Sequence, residues 1–153
     1  MEITYEVLDK VFFNDGSLRD IYIVDVNLTD WQKFFEWIRT STWDIVFYKD
    51  GHITVYEETD VAHFFEEKEN HRILMSINTN GVLINCNFFS EDEIEFDIDP
   101  KEVKSRSEAN AVFEFMKNLS KILDKESILT GENLPEYPLV TVNPDGTLII
   151  SAC

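Results

Sequence analysis

A row of acidic side chains between positions 91 and 99 is the first feature of this chain that suggests chemistry. Four of its carboxylates alternate with apolar residues, which predicts a strand with one core face and one acidic face. The six acids of the segment are Glu91, Asp92, Glu93, Glu95, Asp97 and Asp99. Carboxylates can hold calcium or act in catalytic pairs, but alternate side chains of a strand lie roughly 7 Å apart and do not converge. The row favours an electrostatic surface for a Lys/Arg-rich partner, with a solvated sheet face as the alternative.

A second acidic cluster surrounds His63. His63 and Glu67 stand four residues apart and Asp60 precedes them, so one helical face would present three metal-ligand types. Zinc proteases place two histidines around a glutamate on such a face, and only one histidine is present here. We interpret the three histidines of the chain as unrelated surface residues. The carboxylates of this cluster that we expect at a partner interface are Asp60, Glu66 and Glu67.

No catalytic signature accompanies these acids. The sequence contains no Gly-x-Ser-x-Gly nucleophile motif and no glycine-rich phosphate loop. Its two cysteines are too few for a disulfide framework or a zinc site, and Cys86 falls inside a predicted strand, where we interpret it as a small core residue. We therefore expect a protein without enzymatic activity and without a cofactor.

The charge balance is the strongest compositional signal. Thirty acidic residues against 13 basic ones give a formal net charge of −17 and a pI near 4.3. Nucleic acid is disfavoured as a ligand, because phosphate backbones need Lys and Arg to displace their counterions. A basic protein partner is favoured instead, since a field of one sign steers oppositely charged molecules. The alternative is that the charge serves only solubility.

The cellular location of the protein is predicted from its first twenty residues and from the length of its apolar segments. The first twenty residues carry five acids and no basic start followed by an apolar run, so no secretory signal is visible. No segment approaches the ~18 consecutive apolar residues that span a membrane. We expect a cytoplasmic protein without membrane contact, and the sequence leaves its oligomeric state open.

One long helix is predicted to begin at Ser105. Ser105 and Glu108 have capping-box spacing, and apolar residues then recur at steps of three and four on one broad face. These residues are Ala109, Val112, Phe113, Met116, Leu119, Ile122 and Leu123. Pro135 and Pro138 exclude a helical continuation after Gly131. The chain is therefore expected to turn into loop and strand.

A second, shorter helix is predicted from Thr29 to about Arg39. Thr29 and Gln32 have capping-box spacing, and four large apolar residues fall at helical steps: Trp31, Phe34, Phe35 and Ile38. Trp37 lies off this stripe. It is a candidate anchor for a partner, with burial against a wide helix face as the alternative.

The remaining elements are predicted as short strands joined by tight turns. Asp50-Gly51 and Asn80-Gly81 mark two hairpins, and a third joins 139–142 to 148–150. The alternation of Ile3, Tyr5 and Val7 predicts a further hairpin with 21–26, and 60–70 predicts one or two helical turns. We expect one α+β domain over residues 1–153, with a curved antiparallel β-sheet of about eight strands and two main helices packed on one face.

The tail of the chain resembles a known family. The tail follows a helix that contains the Ser-Glu-Ala and Phe-Met-Lys sequences, and it reads Ile128, Leu129, Thr130, Gly131, Glu132, Asn133, Leu134, Pro135, Glu136, Tyr137, Pro138, Leu139. It is similar to the closing segment of small acidic proteins grouped with the immunity proteins of bacterial polymorphic toxin systems. The resemblance implies a cytoplasmic α+β protein that binds and neutralises a cognate toxin without a cofactor.

These observations favour a binding protein, most concretely an immunity-type inhibitor of a basic toxin such as a nuclease. Its expected contact surface comprises the acids of 91–99 and 60–69, with Trp37 as an anchor. Two alternatives stay open. One is a domain that binds a small molecule or metal through His63 and Glu67, and the other is a structural domain that associates with itself through exposed strand edges.

Overall fold

The structure is a computed structural model and describes residues 3–57 and 59–151. Within these residues it contains four α-helices: α1 (Tyr5–Val11), α2 (Leu28–Thr40), α3 (Ala62–Glu67) and α4 (Arg106–Leu123). The nine strands are β1 (Arg19–Val24), β2 (Asp44–Lys49), β3 (His52–Thr54), β4 (Ile73–Thr79), β5 (Val82–Ser90), β6 (Glu93–Ile98), β7 (Ser127–Gly131), β8 (Pro138–Val142) and β9 (Leu148–Ile150). A 3₁₀ helix, Pro100–Glu102, links β6 to α4.

All nine strands form one antiparallel sheet in the order β3-β2-β4-β5-β6-β1-β7-β8-β9. The fifth position, at the middle of the sheet, belongs to β6. Helices α2 and α4 pack on one face of the sheet, with α1 against α4 and α3 against β5. The predicted α+β class with an antiparallel sheet and helices on one face is confirmed, with nine strands in place of about eight.

The core lies between this face and the helices, and Phe96 of β6 stands at its centre. The Phe96 ring is fully buried and lies 5.3 Å, between centroids, from Phe34 of α2 and from Phe115 of α4. Its neighbours across the sheet are Ile21 of β1 and Cys86 of β5, both with no exposed surface. The prediction of Cys86 as a small core residue is confirmed.

The turn signals of the sequence placed three hairpins correctly. Asp50 and Gly51 both have positive φ (52° and 82°), and so do Asn80 and Gly81 (57° and 93°), which is the geometry of tight type I′ reversals. These dipeptides join β2 to β3 and β4 to β5, and the last hairpin joins β8 to β9. The predicted turns of helix in 60–70 are α3.

The predicted hairpin at the beginning of the chain is wrong. Residues Tyr5–Val11 form α1, and β1 pairs with β6 and β7 instead. The Thr4 side chain accepts a hydrogen bond from the Val7 amide and caps the helix, while Val7 and Val11 are buried. A three-residue alternation is weak evidence for a strand, and here capping and burial against α4 override it.

Both predicted helices exist, but their caps differ from the prediction. The capping box of α2 is formed by Asn27 and Asp30. Ser105 is the N-cap residue of α4, as predicted, without a side-chain cap bond, and Glu108 instead accepts from the Lys104 amide at 2.8 Å. The capping-box spacing therefore located these helix starts to within two residues without identifying every bond.

Candidate functional site

The face of the sheet opposite the helices is covered by none of the four helices that the structure describes. We call it the open face. The strand registers place these side chains on it: Asp44, Val46, Tyr48, Ile53, Leu74, Ser76, Asn78, Leu83, Asn85, Asn87, Glu93, Glu95, Asp97, Asp20, Tyr22, Val24, Ile128, Thr130, Thr141 and Ile149. An antiparallel sheet packed on one side commonly meets solvent on the other.

A single row of paired residues crosses all nine strands through Glu95. In spatial order it comprises Ile53, Tyr48, Leu74, Asn87, Glu95, Tyr22, Ile128, Thr141 and Ile149. The row is mainly apolar towards both edges of the sheet and polar in its middle. The predicted alternation of β6 is confirmed, because Ile94, Phe96 and Ile98 are fully buried on the helix side.

The neighbouring row holds Asp97 in a fixed orientation. The side-chain amide of Asn85 donates to Asp97 Oδ1 at 3.2 Å, and that of Asn87 donates to Oδ2 at 3.1 Å. The Ser76 hydroxyl in turn donates to Asn85 Oδ1 at 2.8 Å. Both carboxylate oxygens of Asp97 are therefore oriented by neutral amides.

Asp20 of β1 lies beside Asp97 and is 3% exposed. Its Oδ2 atom accepts hydrogen bonds from the Tyr22 hydroxyl at 3.0 Å and from the Asn133 amide at 2.8 Å. Burial raises the pKa of Asp20, and burial followed by the hydrogen bond from Tyr22 to Asp20 raises the pKa of the Tyr22 phenol. The β7–β8 connection, residues 132–137, therefore folds over this end of the open face.

Glu95 is the acid of this group with the most perturbed titration. Burial, and then the charges of Asp20, Glu93 and Asp97, raise its pKa from 4.5 to about 7. Within residues 3–57 and 59–151 no hydrogen bond or ion pair reaches its carboxylate. Burial also raises the pKa of Glu93, with a further contribution from Asp92. Glu95 in the middle of the open face therefore lies among three carboxylates whose charges disfavour its ionised form.

The open face also lacks cations at its strand positions. Five of the positions given above are acidic (Asp20, Asp44, Glu93, Glu95 and Asp97), and none carries Lys, Arg or His. Arg19 of β1 points the other way, where its guanidinium donates to the carbonyls of Val11 and Phe13. Negative charge is present on the helix side too, but there several acids pair with lysines. The absence of cations among these positions distinguishes the open face.

The acids of the His63 cluster lie on the helix side. Glu67 accepts hydrogen bonds from Lys49 Nζ at 3.0 Å and from the Tyr56 hydroxyl at 2.7 Å, and His63 Nε2 lies 3.8 Å from it. Burial disfavours the charged form of Glu67, whereas these two hydrogen bonds favour it. The net effect lowers the pKa of Glu67. Asp60 Oδ1 accepts from the Ala62 amide at the start of α3. Glu67 thus connects α3 to the sheet through its contact with Lys49 of β2.

The other predicted contact acids lie on α3 or directly before and after β6. Glu66 and Glu91 are exposed and border one shallow hollow of about 220 Å³. Asp92 accepts a hydrogen bond from the Ser90 hydroxyl in the β5–β6 turn, and Asp99 accepts from the Lys101 amide at the 3₁₀ helix. The structure brings Glu93, Glu95 and Asp97 together on the open face. It does not place the α3 acids beside them.

Trp37 is half-buried among aromatic rings. Its centroid lies 5.5 Å from that of Trp43 and 5.4 Å from that of Phe115, which is fully buried. The ring fills the junction of α2, α4 and the start of β2. The structure gives it this packing role on the helix side, away from the open face.

Several residues of the open face were not predicted as site residues. They are Asp20, Tyr22, Ser76, Asn85 and Asn87. A signal for them exists in the sequence, because these polar residues alternate with apolar ones in β1, β4 and β5, as the acids do in β6. What the sequence does not show is that β1 and β6 are neighbours.

The chain was compared with protein-family models, curated proteins and solved structures. No protein-family model, no curated protein and no solved structure matches the chain. The described residues contain no helix long and apolar enough to cross a membrane. They also contain no group of three or more His, Cys, Asp or Glu side chains arranged to hold a metal ion.

The pKa of Glu95 gives a testable pH dependence of stability. The folded protein retains a proton on Glu95 between pH 4.5 and about 7, where the unfolded chain has released it. Stability therefore falls as the pH rises through this window. We expect Glu95→Gln, which mimics the protonated acid, to raise Tm at pH 8 by roughly 3–6 °C, allowing for screening by solvent. Near pH 5 the two proteins should melt together.

Thermal melts at both pH values measure this effect. Glu126→Gln, at an exposed carboxylate in the α4–β7 turn, is the matched control and should leave Tm unchanged at either pH. A gain of the same size at pH 5 and pH 8 would show that Glu95 is not a titrating group in this window.

Proposed function

We propose that this protein is an acidic binding protein whose open face docks on a basic protein. The observation that supports it is the group of carboxylates in the middle of the open face, none of which is neutralised by a cation at the strand positions of that face. Carboxylates that are held close together repel one another in their charged form. An incoming Lys or Arg relieves this repulsion, and its binding is favoured for that reason. Charge complementarity of this kind also accelerates association.

The specific form of the proposal is an immunity-type inhibitor that acts in the cytoplasm on a basic toxin, such as a nuclease. The resemblance of the tail to immunity proteins and the net charge of −17 motivate this form. A nuclease needs a cationic groove to hold its phosphate backbone. An acidic sheet face that occupies such a groove excludes the substrate without any chemistry of its own.

Co-purification with the toxic protein encoded by the adjacent gene tests this proposal. We expect a 1:1 complex that inhibits the toxin and whose Kd weakens steeply between 50 and 300 mM salt, as charge-driven docking requires. Full toxin activity in the presence of a stoichiometric amount of this protein would contradict the inhibitor form. A tight complex that is insensitive to salt would contradict docking through the open face.

A further inference from the structure

The carboxylates of the open face form a strip that runs along β6. Glu93, Glu95 and Asp97 occupy alternate positions of this strand, so neighbouring ones lie about 6.7 Å apart along the strand axis. Asp20 of β1 stands beside Asp97, where it is almost fully buried and adds negative charge at one end of the strip without itself being accessible to a ligand. The flanking positions on β5 are the amides Asn85 and Asn87, which carry no charge. The charge is therefore linear and parallel to the strands.

The backbone of β6 presents no free hydrogen-bonding groups at its paired residues to a ligand on this face. β6 pairs with β5 on one side and with β1 on the other, so the backbone hydrogen-bonding groups of its paired residues point within the sheet. An extended peptide laid on the open face would leave its own amides and carbonyls unpaired where contact excludes water. A helix satisfies its backbone internally and needs only side-chain contacts.

The spacing of the strip matches a helix. Residues four apart on a helix are about 6 Å apart along its axis and share one ridge, which is close to the spacing of alternate strand residues. We propose that the open face binds a basic helix of the partner laid along β6, with Lys or Arg at positions i, i+4 and i+8 against Glu93, Glu95 and Asp97. Because the ridge is inclined by about 26° to the helix axis, the helix crosses β6 at about that angle.

The apolar residues beside the strip complete this docking surface. Val24 pairs with Glu93 and is 50% exposed, and Leu83 of β5 is 38% exposed. A helix about 10 Å wide placed over β6 extends over both neighbouring strands, which lie about 4.8 Å away on either side. Apolar residues next to the basic ridge would therefore contact these side chains. This inference rests on the proposed function and adds to it the form of the partner's recognition element.

Two stapled helical peptides of equal composition test the inference. The first carries three arginines at i, i+4 and i+8, and the second carries them on three different sides of the helix. At 50 mM salt we expect the first peptide to bind at least tenfold more tightly, measured by calorimetry. Glu93→Gln/Glu95→Gln should reduce its affinity to that of the second peptide, because neither carboxylate has a hydrogen-bond partner among the described residues. The matched control Glu66→Gln/Glu69→Gln, on and next to α3, should leave it unchanged.

The outcomes separate this inference from the proposed function. Equal affinity for the two peptides, with inhibition of the basic toxin intact, would contradict the proposal that the partner binds through a helix. It would leave the proposal of charge-driven docking in place. Loss of binding in the Glu66→Gln/Glu69→Gln control alone would overturn it as well, by moving the peptide site to the helix side. Failure to bind the basic toxin at all would instead contradict the proposed function.

Discussion

Replacing Glu93 and Glu95 together by lysine should weaken the complex with a basic partner by about 100-fold. Close charge pairs across an interface couple by roughly 1.5–7 kcal/mol, and 100-fold corresponds to about 2.8 kcal/mol. Both side chains lie on the open face and accept no hydrogen bond from the described residues. The loss therefore comes from charge and not from a broken native contact. Surface plasmon resonance at two salt concentrations measures the effect.

The matched control changes the same charge on the other side of the sheet. Glu66→Lys/Glu69→Lys alters two exposed acids at α3, so it has the same effect on net charge. We expect less than a threefold change in Kd, arising from the long-range field alone. An equal loss in both variants would show that net charge, and not the open face, drives binding. Circular dichroism of each variant confirms that it is folded.

Phe96→Ala should destabilise the fold by about 4 kcal/mol. The ring is fully buried at the centre of the sheet and packs against Phe34 and Phe115, so its removal leaves a cavity between the sheet and two helices. Large-to-small changes of this kind in a core cost about 3–5 kcal/mol. For a chain of this size that corresponds to a loss of roughly 10 °C in Tm. Thermal and urea denaturation measure it.

Phe89→Ala is the control for this substitution. Phe89 lies in β5, the strand beside β6 in the sheet, but its side chain is 59% exposed. Its loss should therefore change the stability by less than about 0.5 kcal/mol. Similar Tm values for Phe96→Ala and the unmodified protein would mean that the helices do not pack on this face of the sheet. The open face would then be assigned to the wrong side of β6.

The fold was predictable where local signals are strong. Asp50-Gly51 and Asn80-Gly81 fix their reversals because both residues of each turn need positive φ. The stripe of α4 identified most of its buried face, although Ile122 is only partly buried and Phe115 and Ser120 are buried outside the stripe. Phe115 is buried because α2 and the sheet meet α4 over a wider arc than the stripe indicates. The beginning of the chain was mispredicted because the cap at Thr4 and the packing of Val11 are not visible in a short alternation.

The candidate site was predictable only in part, because it depends on pairing between distant strands. The alternation of β6 predicted one acidic face correctly. The position of β6 between β5 and β1 brings Asp20 and Tyr22 beside Glu95 and Asp97, and no local pattern encodes that neighbour. Two acids that looked alike in sequence, Glu67 and Glu95, therefore have opposite environments. Lysine and tyrosine partners surround the first, and carboxylates surround the second.

Mapping the contact surface by NMR tests the central claim most directly. The protein labelled with ¹⁵N is titrated with the basic toxin in an inactive form, and shifts of backbone amides are followed. We predict that the largest shifts fall in β5, β6 and β1, at Asn85–Asn87, Glu93–Asp97 and Asp20–Val24, and that α2 and α4 change little. Shifts concentrated on the helices, or spread evenly over the molecule, would contradict docking through the open face.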